Sequence, residues 1–463
     1  MSLSNTEPAA RVPALSSRLW SRLVARLGAR LGGADAMVLQ RLAGTVFLIR
    51  VASAALAYGS QVLFARWLGS YEFGIYVYVW TWVLLIGQSL DLGLATAAQR
   101  FIPEYRDSKM FDLLRGYVSG SRLIATGIAV AVAASCVGLV RLLTPWLDDY
   151  TIVPLYVACI ALPAYALSNV QDGIARAYDW VGLGLVPSYL ARQFLLTVLL
   201  GAAYAAGLPL DAVTAITIAC IATWLPVLAQ LFVLNKRLEK QIAPGPKTYR
   251  VKYWMATALP ILMAEGFYLM LTNVDVLILK QFRPPDEVAV YYAAAKTLAL
   301  VSFIHFSISA TSAHRFSTFH ATGDRAGLVA FLRQAVRWTF WPSLLATIVL
   351  LALGRPLLYM FGSEFADGHF LMFILAIGLL SRAAIGPIER MLNVLGQQRA
   401  SATSCATAFA VNVALCFILV PHFGAMGAAI AIAAALVVET AMLFWMAKRQ
   451  LGFHVFIWSR GGK

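Results

Sequence analysis

The sequence predicts an all-α, polytopic membrane protein with about twelve transmembrane helices in two parallel six-helix bundles around a central cavity. The first observation is composition: the 463 residues are 60% hydrophobic and 13% charged, about half the charged share of a soluble domain. The second is that apolar runs of about 20 residues recur along the chain, each long enough to cross a bilayer. The third is an internal repeat that divides the chain into two related halves.

This repeat aligns Phe64–Phe101 with Leu279–Phe316 without a gap. The matched positions are Glu72 with Glu287, Tyr76 with Tyr291, Leu85 with Leu300, Ala95 with Ala310, Thr96 with Thr311, Ala98 with Ala313, Arg100 with Arg315 and Phe101 with Phe316. A repeat of this length predicts two copies of one structural unit. The charges are not duplicated, because Thr81 is matched by Lys296 and Asp91 by Phe306.

Hydropathy places the spans at residues 42–66, 73–98, 116–142, 150–168, 182–206, 211–234, 255–280, 288–312, 338–361, 366–385, 401–420 and 424–446. With these spans, 29 of the 37 Lys and Arg residues fall on one side of the membrane and five on the other. Cytoplasmic loops carry such an excess of Lys and Arg. Both termini are therefore predicted to be cytoplasmic, and this bias also explains the net charge of +15 without nucleic-acid binding.

The longest predicted cytoplasmic link contains Pro244-Gly245-Pro246 and marks the boundary between the halves. The predicted regions are a basic tail (1–41), a first bundle (42–234), this linker (235–254), a second bundle (255–447) and a final cytoplasmic tail (448–463). Because six spans precede the linker, both bundles enter the membrane from the same side and are parallel repeats. The first tail repeats Arg and Leu every four residues, which indicates an amphipathic helix on a membrane surface. A disordered basic tail and an organellar transit peptide are the alternatives.

No motif for nucleotide binding or nucleophilic catalysis is present, and no enzyme activity or cofactor is expected. The five cysteines lie inside apolar segments without metal-ligand spacing, so we interpret them as buried hydrophobic residues. No metal site is predicted.

The candidate site residues are ionisable groups inside the spans, where a charge is costly unless it faces water or a partner. They are Arg50, Asp91, Arg192, Glu265, Asp275, Lys296 and His305. One interpretation is a hydrated central cavity whose cations bind an anionic substrate, since an arginine fork suits diphosphate. The other is structural: Arg50 or Lys296 pairs with Asp91 or Asp275 and holds helices together.

Two stretches carry a family resemblance. The first, RWLGSYEFGIYVYVWTWVLLIGQSLDLGLATAAQRFIPEY, resembles the amino-terminal signature of Wzx-type polysaccharide flippases in the multidrug/oligosaccharidyl-lipid/polysaccharide (MOP) exporter superfamily. The second, NVDVLILKQFRPPDEVAVYYAAAKTLAL, is similar to the family pattern of spans 7 and 8, with Asp275, Tyr291 and Lys296 at matching positions. The chain departs from that pattern at Pro284-Pro285, where Leu-Gly is common, and at Lys296, where Arg is frequent.

The resemblance implies that the chain moves a polyprenyl-diphosphate-linked oligosaccharide across the bacterial inner membrane by alternating access. Membrane lipid, a coupling proton or sodium ion, and polysaccharide assembly proteins are the implied partners. A cation-coupled multidrug exporter of the same superfamily is the first alternative. A peptidoglycan-precursor flippase, for which more spans are expected, and a membrane glycan polymerase or ligase, for which a large periplasmic loop is expected, are the others.

Overall fold

In a computed structural model, the backbone is described for residues 33–452 and the side-chain surroundings for residues 51–449 apart from 264 and 314. The helices of the first half are α1 (Gly33–Ser89), α2 (Leu94–Asp107), α3 (Phe111–Leu143), α4 (Asp149–Cys159), α5 (Ala161–Ala177), α6 (Val181–Ala205) and α7 (Ala212–Gln241). Those of the second half are α8 (Val251–Leu271), α9 (Val274–Phe282), α10 (Pro285–Ala299), α11 (Ser302–Thr322), α12 (Arg325–Ala352), α13 (Gly354–Tyr359), α14 (His369–Ile385), α15 (Ile388–Val394) and α16 (Gln398–Leu451). No strand occurs between residues 33 and 452. The predicted tail helix falls largely outside this range.

Eight helical segments of the described chain are long and apolar enough to cross a membrane. Two bent pairs, α4 with α5 and α10 with α11, each qualify as one broken span. The two longest segments, Val51–Asp107 and Gln398–Arg449, hold 57 and 52 residues. At 1.5 Å per residue each measures about 80 Å, enough for two crossings. Counted in this way, the described residues give the twelve crossings that the sequence predicts, and the predicted fold class is confirmed.

Each of the two longest segments is interrupted by a glycine. Gly69 has φ 79° and ψ 166°, and Gly424 has φ 55° and ψ −132°. Side chains with a Cβ rarely adopt positive φ, so glycine is the residue that allows the chain to leave one helix and enter the next here. Gly69 lies in the loop predicted between the first two spans, and Gly424 is the first residue of the last predicted span.

The internal repeat is visible in matching contacts. The Glu72 carboxylate accepts a hydrogen bond of 2.8 Å from the Ala212 amide, which begins α7. Its repeat partner Glu287 accepts one of 2.6 Å from the Ala425 amide, directly after the break in α16. Each glutamate therefore satisfies a free amide at the start of the last helical crossing of its own half, where helix amides lack intrahelical partners. The matched pair performs the same structural task in both halves.

Several contacts join the halves at the end that is predicted to face the periplasm. The Nε atom of Arg66 donates a hydrogen bond of 2.7 Å to the carbonyl of Met360. A Cβ added to Gly74 would lie 1.8 Å from the carbonyl oxygen of Pro285, so α1 and α10 touch through the glycine backbone. At the opposite end, α8 packs on the first half, where the indole of the fully buried Trp254 donates to the hydroxyl of Tyr105 at 3.0 Å.

An ion pair also connects the halves near the predicted periplasmic surface. The ammonium of Lys280, which is 6% exposed, lies 2.7 Å from the carboxylate of Asp148 in the loop before α4. Hydrogen bonds donated by Lys280 and then by Tyr150 hold the pKa of Asp148 below its ordinary value of 3.8. The pair contributes modestly, because the Asp148 side chain is 53% exposed to solvent.

Candidate functional site

A polar cavity of about 370 Å³, which we call the first-half cavity, is lined by α1, α2, α5, α6, α7 and one residue of α8. Three of the seven predicted site residues, Asp91, Arg192 and Glu265, line this cavity. Because Glu265 belongs to the second half of the chain, the cavity lies where the two halves meet. Its volume is within the range of small-molecule sites, about 300 to 1,000 Å³.

The Asp-Leu-Gly motif forms the break between α1 and α2 at the edge of this cavity. Leu92 and Gly93 both have positive φ, and a Cβ on Gly93 would lie 2.4 Å from the carbonyl oxygen of Ala258. The Asp91 carboxylate accepts hydrogen bonds of 3.2 Å from the amides of Gly93 and Ala95, at the start of α2. Asp91, which is 6% exposed, therefore caps a helix that begins inside the membrane region.

Asp172 is a second buried carboxylate of the cavity, and the sequence analysis missed it. It lies on α5 and accepts hydrogen bonds from Gln230 at 2.7 Å and from Ser188 at 2.8 Å. Ser188 lies in a π-helical turn of α6, Val186–Ala191, and π-helical turns often occur at functional sites. The predicted fourth span ends at residue 168, whereas α5 continues to Ala177. Polar residues that face the cavity follow residue 168, and they lower the mean hydropathy of this part of α5. The spacing of Asn169, Asp172 and Arg176 places them on one face of a helix, and this pattern could have revealed that the helix continues.

Arg192 is held in place by aromatic rings rather than by a carboxylate. Its guanidinium carbon lies 5.1 Å from the ring centre of Trp80 and 5.2 Å from that of Tyr165. The Nε atom donates a hydrogen bond of 3.2 Å to the hydroxyl of Thr223. Within the described part of the chain Arg192 forms no ion pair. Cation–π contacts orient an arginine without neutralising its charge.

The acidic and the basic side chains of the cavity thus bind other partners and do not pair with each other. The carboxylates of Asp91 and Asp172 are bound by neutral amide and hydroxyl donors, and Glu265 accepts from the hydroxyl of Thr96 at 3.4 Å. Arg176, also in the cavity wall, donates its Nε to the backbone carbonyl of Asp172 at 3.3 Å. Among the described residues, neither cavity arginine forms an ion pair with a cavity carboxylate. The arrangement leaves two guanidinium groups able to bind an anion.

Three of the other four predicted residues, Asp275, Lys296 and His305, lie elsewhere. Asp275 is 4% exposed in α9 and accepts hydrogen bonds from the hydroxyl of Tyr291 and, at 3.0 Å, from the Val276 amide. Lys296 has its ammonium 5.0 Å from the ring centre of Tyr292 and does not line the first-half cavity. The side chain of Arg50 lies outside the described residues. Neither the structure nor the comparisons below test the roles of the seven residues, which remain predictions.

His305 lines a separate cavity of about 580 Å³ within the second half, formed by residues of α8, α11, α12, α14 and α15 and of the α10–α11 junction; we call it the second-half cavity. Its wall contains Arg382, whose guanidinium lies 2.8 Å from Glu389 and 3.8 Å from the fully buried Glu439. Arg382 was not among the predicted site residues, because a linear pattern does not show which distant carboxylates a basic residue meets. In the described residues, no cluster of His, Cys, Asp and Glu could hold a metal ion, and the five cysteines are free.

Comparison with known proteins connects this geometry to a family. A family model described as polysaccharide biosynthesis protein matches residues 41–319, and a model described as MatE matches residues 260–418. The chain is 22% identical over 415 residues to the probable low-salt glycan biosynthesis flippase Agl15 of Haloferax volcanii, covering 88% of this chain and 83% of that protein.

Solved structures share the fold at low sequence identity. An inward-facing multidrug resistance MATE family transporter of the MOP superfamily has a TM-score of 0.71 at 14% identity, covering 88% of this chain and 98% of that one. The lipid II flippase MurJ, in an inward closed conformation, has a TM-score of 0.70 at 15% identity and covers 87% of both chains. A MOP superfamily transporter from Pyrococcus furiosus, described as having a binding pocket of reverse polarity, has a TM-score of 0.65 at 13% identity, covering 89% and 95%.

The polysaccharide biosynthesis model spans more than half of the chain, and the family resemblance noted in the sequence is confirmed. The chain is a multi-pass membrane protein with the fold of MOP superfamily transporters, and it belongs to the polysaccharide biosynthesis protein family.

Proposed function

We propose that the protein is a flippase for lipid-linked oligosaccharides. It moves a polyprenyl-diphosphate-linked glycan from the cytoplasmic to the outer leaflet of the cytoplasmic membrane, with both of its own termini in the cytoplasm. The two halves alternate access to the cavity, and an ion gradient or the membrane potential supplies the energy. The family match and the glycan flippase Agl15 of Haloferax volcanii support this proposal.

The observation that carries the proposal is the state of Arg192. It lines a cavity between the halves, held by two aromatic rings and one hydroxyl, and it keeps its charge without an ion pair among the described residues. A guanidinium group can donate two parallel hydrogen bonds to a phosphate. Arg176 supplies a second cation in the same cavity wall. Two oriented cations in a polar cavity suit a diphosphate group better than a neutral or cationic molecule.

The same observation disfavours a cation-coupled multidrug exporter. An exporter of cationic drugs needs carboxylates that are available to the drug. Here Asp91 and Asp172 are already bound by amide and hydroxyl donors. In a diphosphate carrier these neutral donors would favour substrate binding, since they keep the carboxylates from pairing with the arginines.

The contacts between the halves define the steps of the proposed transport path. Contacts of Arg66 and Gly74 join the halves on the side predicted to be periplasmic, and the contact of Trp254 with Tyr105 joins them on the predicted cytoplasmic side. In the proposed cycle the cytoplasmic contacts separate first, and a substrate enters the first-half cavity from that side. The diphosphate binds Arg192 and Arg176, the glycan stays in the hydrated space, and the lipid tail remains in the bilayer. Separation of the α1 and α10 contact then opens the cavity to the other side.

The test is replacement of Arg192 in cells that lack the chromosomal copy of the gene. We expect Arg192→Ala to lower surface polysaccharide at least about tenfold, because charge-assisted hydrogen bonds contribute roughly 1.5 to 3 kcal/mol. Arg192→Lys keeps the charge but loses the fork and is expected to retain partial activity. The readouts are surface polysaccharide and the lipid-linked glycan that accumulates in the inner leaflet.

A matched control is Arg237→Ala. Arg237 also lies over a tryptophan, 5.5 Å from the ring centre of Trp180, but it does not line the first-half cavity. We expect this variant to make normal amounts of polysaccharide at equal membrane level. Normal polysaccharide in the Arg192→Ala strain would refute the assignment of Arg192 to the diphosphate.

A further inference from the structure

The second-half cavity contains buried polar atoms without partners. Among the described residues, Nδ1 of His305 and the hydroxyl oxygens of Ser309 and Ser343 are buried and form no hydrogen bond. All three residues line this cavity, and Ser343 is only 1% exposed. A buried polar group without a partner costs free energy, so native proteins satisfy nearly all of them. Three such groups around one cavity can be satisfied by ordered water or by a ligand that supplies the missing hydrogen bonds.

The three groups approach the cavity from two walls. His305 and Ser309 are four residues apart and therefore lie on one face of α11, whereas Ser343 belongs to α12. The aromatic residues Tyr268, Phe303 and Phe306 also line the cavity. A cavity of mostly apolar walls with a few convergent polar groups is typical of small-molecule sites.

The chemistry of the groups favours a neutral ligand that carries hydroxyls. Two arginines line the cavity: Arg382 is already bound by Glu389 and Glu439, and Arg390 is exposed to solvent. The unpartnered groups are an imidazole nitrogen and two hydroxyls, which exchange hydrogen bonds readily with sugar hydroxyls. The apolar faces of a sugar ring can pack against the aromatic side chains.

The position of α8 relates the two cavities. Glu265 lines the first-half cavity, and Tyr268, three residues later on the same helix, lines the second-half cavity. Residues three apart lie on neighbouring positions of a helix surface. The two cavities therefore share α8 as a common wall.

We propose that the second-half cavity binds the glycan part of the transported lipid while the first-half cavity binds its diphosphate. This inference rests on the proposed flippase function and adds a sugar subsite made by His305, Ser309 and Ser343. The two halves of the duplicated scaffold thus recognise two chemically different parts of one substrate.

The test compares two lipids on the purified full-length protein in detergent. One probe is undecaprenyl diphosphate without sugar, and the other is the lipid-linked oligosaccharide extracted from cells that lack this gene. We expect the wild type to bind the glycan-bearing lipid about tenfold more tightly. The Ser309→Ala/Ser343→Ala double variant should lose this preference, because each lost hydrogen bond weakens binding severalfold. Its affinity for undecaprenyl diphosphate should be unchanged.

Two measurements separate a binding role from a structural one. Ser343→Ala should keep or raise the thermal unfolding temperature, because it removes a buried hydroxyl that has no partner in the free protein. Thr347→Val is the matched control on α12: Thr347 is also 1% exposed, but its hydroxyl donates to the Ser343 carbonyl at 2.7 Å and it does not line the cavity. That variant should preserve the preference for the glycan-bearing lipid.

Equal affinity of the wild type for both lipids would overturn the sugar subsite and leave the diphosphate site intact. A preference that survives in the double variant would also overturn it. If neither lipid binds, the proposed flippase function fails as well.

Discussion

The two halves of the protein share a scaffold but differ in how they hold their buried arginines. In the first half, the guanidinium of Arg192 lies against the rings of Trp80 and Tyr165 and has no carboxylate partner among the described residues. In the second half, Arg382 also contacts an aromatic ring, that of Tyr268 at 4.8 Å, but two glutamates neutralise it. From this difference we infer that an arginine in a cavity wall is available to a substrate only where the surrounding carboxylates are bound by other donors.

Matched positions of the internal repeat differ in whether their residues were kept in both halves. Glu72 and Glu287 bind the amide of a helix start in the same way, and Phe101 and Phe316 are both fully buried against a ring of the next crossing. By contrast, Asp91 caps α2 in the first half, while Phe306 stands at the matching position and lines the second-half cavity. At these positions the contacts that build the scaffold were kept and the charged cavity residue was not, whereas Ala95 and its match Ala310 line the two cavities unchanged.

The largest expected effect is a difference in stability between the variants that lack Arg382 and Arg192. Arg382→Ala leaves the fully buried Glu439 without its cation, and breaking such a pair costs roughly 3 to 5 kcal/mol. Arg192→Ala breaks no ion pair described here and should lower stability far less, while it slows transport at least about tenfold. Thermal unfolding of the purified variants measures both effects. Adding Glu439→Gln to Arg382→Ala should recover part of the loss, and equal destabilisation by the two single variants would contradict the comparison.

An intermediate effect on unfolding free energy is expected from the two matched glutamates of the repeat. Glu72→Ala and Glu287→Ala each remove the acceptor at a helix start, and the loss of such a cap costs about 1 kcal/mol. Both residues bind the amide of a helix start, and the additional ion pair of Glu287 with Arg283, at 3.9 Å, is weak because it is partly exposed. We therefore expect the two losses in unfolding free energy to differ by no more than about 0.5 kcal/mol. Glu364→Ala, which changes an exposed glutamate at the same end of the molecule, is the control and should have no effect. Strongly unequal losses would mean that the repeat does not preserve function at this position.

The smallest expected effect is the pH dependence of the Asp148–Lys280 pair, which joins the halves. The pKa of Asp148 lies below 3.8 in the folded protein, so its stabilising contribution is present above that value and disappears as the pH falls through the folded pKa. Asp148→Asn should therefore lower the unfolding free energy slightly at pH 7, by less than about 1 kcal/mol, and this difference should shrink as the pH falls below 3.8. The neighbouring Asp149→Asn should behave like the wild type. A constant difference between Asp148→Asn and wild type at all pH values would contradict the ion-pair assignment.

Much of the fold was predictable because hydropathy and the distribution of Lys and Arg are properties of whole segments. The site was predictable only in part. Asp91, Arg192 and Glu265 come together as the sequence suggested, but Asp172 was hidden in a segment whose polar face lowers its hydropathy. Its partner Gln230 is 58 residues away, and no local pattern reveals such a contact. Lys296 looked equivalent to Arg192 in the sequence, yet it faces a tyrosine ring away from the first-half cavity, because helix rotation is set by packing.

The most direct test of the central claim is lipid transfer by the purified protein in vesicles. Lipid-linked oligosaccharide from cells that lack the gene would be incorporated with the wild type, with Arg192→Ala or with Thr347→Val. Its exposure on the opposite leaflet would be followed with an added glycan-modifying enzyme. We predict transfer by the wild type and by Thr347→Val, and at least about tenfold slower transfer by Arg192→Ala. Transfer at the wild-type rate by Arg192→Ala, or no transfer by any of these proteins, would contradict the proposal that unpaired cations in the first-half cavity carry the diphosphate.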